Sequence, residues 1–155
     1  RILEFTQSLS KDDMMFLRID ISDPAIVDQW IKNIENGDTL SLLLSDSKKN
    51  ILGYCTLHID SKLWTSHIGE MRFFVAKPYR GIGLSSKMVT EIFQIARSQH
   101  LERLTVNIAR EQPHVQTMLV RLGFKVEALL TDWLKDRDGV THDLIVMSHH
   151  LVDVY

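Results

Sequence analysis

Residues 68–109 constrain this chain more than any other stretch. The apolar run "HIGEMRFFVA" meets the turn "KPYRGIG", and apolar residues then recur at Leu84, Met88, Ile92, Ile95 and Ala96. That spacing marks one face of a helix reaching to about His100. A second short apolar run, "RLTVNIA", follows. Strand, loop, helix, strand in this order makes a βαβ unit, whose two strands run parallel because only a crossover of this length can join parallel neighbours. The middle of the chain must therefore contain parallel strands.

The flanks add other elements. "ILEFTQSL" and "KDDMMFLRI" read as short helices. Asp23 and Pro24 open a clearer one: Asp23 suits the cap, Pro24 the first helical position, and Ile26, Val27, Trp30, Ile31 and Ile34 give the helical spacing up to Gly37. Thr39–Ser45 is β-like, Asp46–Asn50 is a polar turn, and Ile51–Asp60 alternates, with Cys55, Leu57 and Ile59 on one face and Tyr54, Thr56 and His58 on the other. "HVQTMLVRL" is a short helix stopped by Gly123. "FKVEALLTDWL" and "VTHDLIVMSHHL" are strands joined by "KDRDG", a hairpin turn carrying Asp138-Gly139. The order predicts an α/β or α+β fold with a mixed sheet.

A chain of 155 residues is expected to form one domain, spanning 1–155, with a real core. Net charge is −2 and the basic residues are scattered, which argues against a nucleic-acid partner. No apolar run approaches the roughly 18 residues of a membrane span. One cysteine, Cys55, permits no internal disulfide and suits a reducing, cytoplasmic setting. It is flanked by apolar strand residues and reads as a core thiol. The seven histidines show no metal-ligand spacing. The chain begins at Arg1, so it is expected to be a piece of a longer protein.

Three phosphate-binding designs compete for the glycine-rich turn. A P-loop needs glycine directly before its lysine, but Ser86 precedes Lys87. The dinucleotide fingerprint G-x-G-x-x-G has Gly81 and Gly83 but Ser86 at its third glycine, and its strand should open the fold. The pattern [QR]-x-x-G-x-[GA] is left: Arg80-Gly81-Ile82-Gly83-Leu84-Ser85 follows its order, with the small Ser85 in place of glycine or alanine. A helix start offers unpaired N–H groups and partial positive charge to a diphosphate. Taken alone, the loop fits both an anion cradle and a plain tight turn.

That last pattern is the pyrophosphate loop of the GNAT N-acetyltransferase superfamily, and most of the chain resembles a GNAT domain. "GEMRFFVAKPYRGIGLSSKMVTEIFQIA" is similar to that superfamily's strand, loop and long helix. "VRLGFKVEALLTDWLKDRDGVTHDLIVMSHHL" is similar to its closing part, and "FTQSLSKDDMMFLR" resembles the entry helices of GNAT domains in bacterial protein-lysine acetyltransferases. The resemblance implies a mixed, mostly antiparallel central sheet flanked by helices. GNAT domains usually begin with a strand, and nothing ahead of Ile2 can be one, so that strand is expected upstream of Arg1 or missing.

The resemblance also implies the chemistry: transfer of an acetyl group from acetyl-CoA to an amine of a protein or a small molecule. It assigns the pantetheine arm to the backbone of Phe73, Phe74 and Val75, and the pyrophosphate to Arg80, Gly81, Ile82, Gly83, Leu84, Ser85 and Ser86. Gln112 stands where the family has an asparagine near the coenzyme. Glu70, five residues before Val75, matches a candidate general base, and burial in an apolar strand would favour its neutral form; a salt bridge to Arg72 is the plainer alternative. Leu119 occupies the usual place of the tyrosine that protonates the leaving thiolate, with Tyr54 and His67 as conceivable substitutes. Trp30, Trp64 and Trp133 read as packing residues, with Trp64 and Trp133 also falling where the family borders its acceptor groove. A non-catalytic acyl-CoA-binding domain and a nucleotide-binding α/β domain remain as alternatives.

Overall fold

A computed structural model describes residues 1–9 and 21–151. The expected helix "KDDMMFLRI" lies outside the described residues. Helix α1 is Ile2–Gln7, α2 is Pro24–Glu35, β1 is Thr39–Ser45, β2 is Ile51–Ile59 and β3 is Ile68–Val75. A short 3₁₀ turn, Lys77–Tyr79, leads to α3, Leu84–Ser98. Then come β4 (Arg103–Ala109), α4 (Pro113–Arg121), β5 (Lys125–Lys135) and β6 (Thr141–His150). The six strands form a mixed, mostly antiparallel sheet in the order β1-β2-β3-β4-β6-β5. As the crossover requires, β3 and β4 pair in parallel. Among the described residues the first strand is β1.

Contacts divide the chain into two compact units. The first comprises Arg1–His58 and Phe73–Ile92. Its core gathers Phe5, Ile21, Trp30, Tyr54 and Phe74, with Ile2, Leu9, Ile26, Ile34, Ile51 and Ala76 packed around them. The α2 pattern explains part of this: Val27 and Trp30 are its buried residues, and Asp23 caps its first turn, Oδ1 accepting from the Ala25 N–H at 2.9 Å. The indole N–H of Trp30 donates to Ser41 Oγ at 2.9 Å, so the polar end of a buried ring is satisfied. β1 and β2 form an antiparallel hairpin from Thr39↔His58 to Leu44↔Gly53.

The second unit comprises Ile59–Arg72 and Phe93–Tyr155. The strand expected at "RLTVNIA" is β4, and along it Leu104, Val106 and Ile108 are buried. β4 pairs with β6 along its whole length, from Arg103↔His150 to Ala109↔Leu144. Gly123 follows α4 at φ +97°, the left-handed conformation expected of a helix stop. Phe93, Phe124 and His149 pack as an aromatic trio with centroids 5.0 to 5.8 Å apart. β5 is not one regular run: its register against β6 shifts between Val126 and Ala128 and again between Leu130 and Leu134.

Candidate functional site

The turn after β3 is built by its own backbone. The Tyr79 N–H donates to the Ala76 carbonyl at 2.9 Å and the Arg80 N–H to Lys77 at 3.3 Å. Gly81 and Gly83 then take φ of +80° and +83°, which β-carbon-bearing residues rarely adopt. Nothing lies within 4 Å of where a Cβ would stand at either position. The glycines are thus needed for backbone conformation, and the chain leaves space beside them. Helix α3 begins at Leu84, and its Lys87 N–H donates to the Gly83 carbonyl at 3.2 Å. The N–H groups of Leu84, Ser85 and Ser86 have no carbonyl one turn back within that helix. Residues 73–90 contain no carboxylate, whereas Lys77, Arg80 and Lys87 are all cationic. The helix dipole and this local charge both favour an anion.

Arg80 braces the loop from below. Its Nε donates to the Val75 carbonyl at 2.7 Å, and its guanidinium carbon lies 5.3 Å from the centroid of the Phe74 ring. Phe74 is itself a core residue, 6.1 Å from Phe5 and 6.0 Å from Tyr54 between ring centroids. The Phe74 side chain is therefore committed to packing. The approach of β2 is close here: a Cβ on Gly53 would come within 2.5 Å of the Phe74 carbonyl oxygen. A side chain at 53 would push that backbone away.

Glu70 sits where the β3–β4 ladder stops. The parallel register runs Ile68↔Arg103, Gly69↔Leu104, Glu70↔Thr105 and goes no further, although β4 continues to Ala109 on β6. The Glu70 side chain is 28% exposed, and its Oε1 accepts from Arg72 Nε at 3.2 Å. The carboxylate is therefore partly buried and ion-paired.

The other expected site residues separate into packing and turn roles. Leu119 is fully buried on α4. Gln112 caps that helix, and its Oε1 accepts from the Ala109 N–H at 3.2 Å. Tyr54 is 7% exposed, with its ring edge-on to Trp30 at 5.0 Å. His67 lies in an exposed turn, where its carbonyl accepts from the Glu102 N–H at 2.8 Å. Trp30 is buried as a packing residue, but Trp64 and Trp133 are exposed and do not pack in the core as expected. Cys55 is fully buried, and burial pushes its thiol pKa up, which makes it a poor nucleophile. Among the described residues no group of His, Cys, Asp and Glu could hold a metal ion, and no helix is long and apolar enough to cross a membrane.

One cluster went unforeseen. His142 lies between two carboxylates, with Nε2 at 2.7 Å from Asp136 Oδ2 and Nδ1 at 3.0 Å from Glu111 Oε1. Both ring nitrogens can donate only in the imidazolium form. The hydrogen bond to Asp136, then that to Glu111, raises the His142 pKa above 6.5, and the same bonds lower both carboxylates. The histidine's contribution is complete below pH 6.5 and is lost as pH rises through its folded-state pKa. The carboxylates' contribution is complete above their unfolded values and is lost in acid. Urea midpoints of the wild type and His142→Gln should therefore differ most near pH 6 and converge toward pH 9. A gap that stays constant over that range would show that His142 is not held charged. A sequence signal existed in "KDRDG", where Asp136 suits an Asx turn. Its Oδ1 accepts from the N–H groups of Asp138 (2.9 Å) and Val140 (3.0 Å).

The model of the Acetyltransferase (GNAT) family matches residues 4–124. No curated protein sequence matches significantly. Among solved structures, the chain is similar to a GNAT-family acetyltransferase from Streptococcus pneumoniae, at 18% identity and TM-score 0.81, covering 96% of this chain and 90% of that one. It is also similar to a spermidine N-acetyltransferase from Vibrio cholerae in complex with CoA and spermine, at 17% identity and TM-score 0.78, covering 96% and 89%. A ribosomal-protein-alanine N-acetyltransferase from Brucella melitensis gives 20% identity and TM-score 0.74, covering 83% and 78%.

Proposed function

Because the chain belongs to the Acetyltransferase (GNAT) family, we propose that it transfers an acetyl group from acetyl-CoA to a primary amine of a protein or small-molecule acceptor. The observation that carries this reading is the turn after β3. There two left-handed glycines deliver the chain into the first turn of α3, in a stretch without carboxylates. Residues Arg80–Ser86 would hold the pyrophosphate on their N–H groups, with Arg80 adding charge while its Nε braces Val75. The backbone of Phe73, Phe74 and Val75 would bind the amide-bearing arm as an added strand, and Gln112 is a further candidate for the coenzyme. Acetyl-CoA supplies the acyl group in activated form, as a thioester.

The amine must be neutral to attack, yet a lysine amine has a pKa near 10.4. Glu70 would take the proton as the new C–N bond forms and the C–S bond breaks, leaving the coenzyme as a thiolate that takes a proton from solvent. Spermidine and ribosomal protein are the acceptors named for two of the similar structures, which supports an amine acceptor as a class. A second reading, an acyl-CoA-binding domain without turnover, draws on the buried Leu119, which has no proton to give.

Thermal denaturation with acetyl-CoA, ATP and NADH, followed by a free-thiol assay with spermidine, an Nα-blocked lysine peptide and a peptide with a free N-terminal alanine, tests both. Acetyl-CoA at about 100 times its Kd should stabilise by about 2.7 kcal/mol, and at least one amine should release thiol. Stabilisation without thiol release selects the second reading. Stabilisation by ATP or NADH but not by acetyl-CoA overturns both.

A further inference from the structure

We infer that Arg72 is the positioning residue for Glu70, holding its carboxylate in place for proton transfer; this rests on the reading of Glu70 as the base. Successive side chains of a strand point to opposite faces, so Glu70 and Arg72 share one face of β3. Arg72 Nε donates to Glu70 Oε1 at 3.2 Å, with side chains 29% and 28% exposed. The pairing of β3 with β4 ends at Glu70↔Thr105, so the ion pair stands at the ladder's last rung.

A glutamate at such a place has three rotatable bonds and only part of its surface packed. Left alone, its carboxylate would sample several rotamers. A guanidinium presents its donors in a rigid plane, which fixes direction as well as charge. The bond is made to Oε1 of the carboxylate, the group proposed to accept the proton. Arg72 need not touch either substrate to affect the rate. It acts by restricting Glu70 to one geometry, and displacement of a catalytic group by about 1 Å can cost up to ~10²-fold.

The test measures kcat and both KM values for the 155-residue chain with acetyl-CoA and whichever of the three amines above reacts fastest. The variants are Glu70→Gln, Arg72→Met, Arg72→Lys and the double variant Glu70→Gln/Arg72→Met. Arg72→Met should lower kcat about 10-fold, with the KM for acetyl-CoA held. Arg72→Lys, which keeps the charge without the fork, should fall between it and wild type; it also serves if Arg72→Met fails to fold. The double variant should match Glu70→Gln within about 2-fold, since a residue that acts through another adds nothing once the other is gone. A slow Glu70→Gln beside a wild-type kcat in Arg72→Met overturns the inference and leaves the base in place. Additive losses in the double variant overturn it as well. An unchanged Glu70→Gln, or no turnover with any amine, removes the base and this inference with it.

Discussion

Glu70→Gln is expected to lower kcat about 10²-fold or more, the usual scale for loss of a general base. The substitution keeps the shape of the side chain and removes its ability to take a proton. Acetyl-CoA affinity should hold, because the groups proposed for the coenzyme begin at Phe73 and continue through Ser86. Stability should change by about 1 kcal/mol or less, the range of a pair that is not fully desolvated. The deficit should depend on the acceptor. A lysine amine with pKa near 10.4 needs the base throughout the neutral range, whereas an α-amine near 8 is already partly neutral. Rates measured from pH 7 to pH 9.5 should therefore show wild type and variant converging, and sooner for the N-terminal alanine peptide. An unchanged kcat at pH 7 with the lysine peptide would remove Glu70 from the chemistry.

What the sequence disclosed follows from how local each signal is. The α2 cap and the glycine turn each rest on residues within a few positions of one another, and both appear as expected. The β5 irregularities do not. Asp132 has φ +52° in a strand that reads as continuous. That conformation is held by Asp143, whose Oδ1 accepts the Asp132 N–H at 2.9 Å while its Oδ2 pairs with Arg110 at 3.0 Å. Those partners are 11 and 33 residues away, beyond any periodic pattern. Gly53 is an intermediate case. A glycine inside an apolar strand signals close backbone approach, but only the fold reveals that the neighbour is Phe74.

The candidate site divides in the same way. Its anion-binding part is a contiguous run and was legible as a run. The part proposed for proton transfer was legible as one unusual carboxylate with Arg72 as a candidate partner, because residues two apart in a strand share a face. The acceptor is the least legible. No short motif names it, and similarity at 17–20% identity to the structures above carries the fold alone.

Leu119→Ala should produce the largest loss of stability and leave the chemistry almost unchanged. Leu119 is fully exposed to neighbours and not at all to water, and its carbonyl accepts the Phe124 N–H at 2.9 Å where α4 turns into β5. Truncating a buried leucine to alanine removes transfer energy and leaves a cavity, together about 2–5 kcal/mol. In a chain of this size each 1 kcal/mol shifts Tm by about 2–4 °C, so a fall of about 6–12 °C is the central expectation. At 15 °C, where the variant remains folded, kcat should stay within about 2-fold of wild type, the scatter expected between independent sites. The reason lies in the leaving group. A thiol has a pKa near 8.5, so a thiolate departs readily at neutral pH and water can protonate it afterwards. A phenolic acid at this position adds little to such a step, which is why an alkyl side chain there is compatible with turnover. A folded Leu119→Ala whose kcat falls more than about tenfold would mean that this position shapes the reacting centre, and the solvent route for the proton would have to be abandoned.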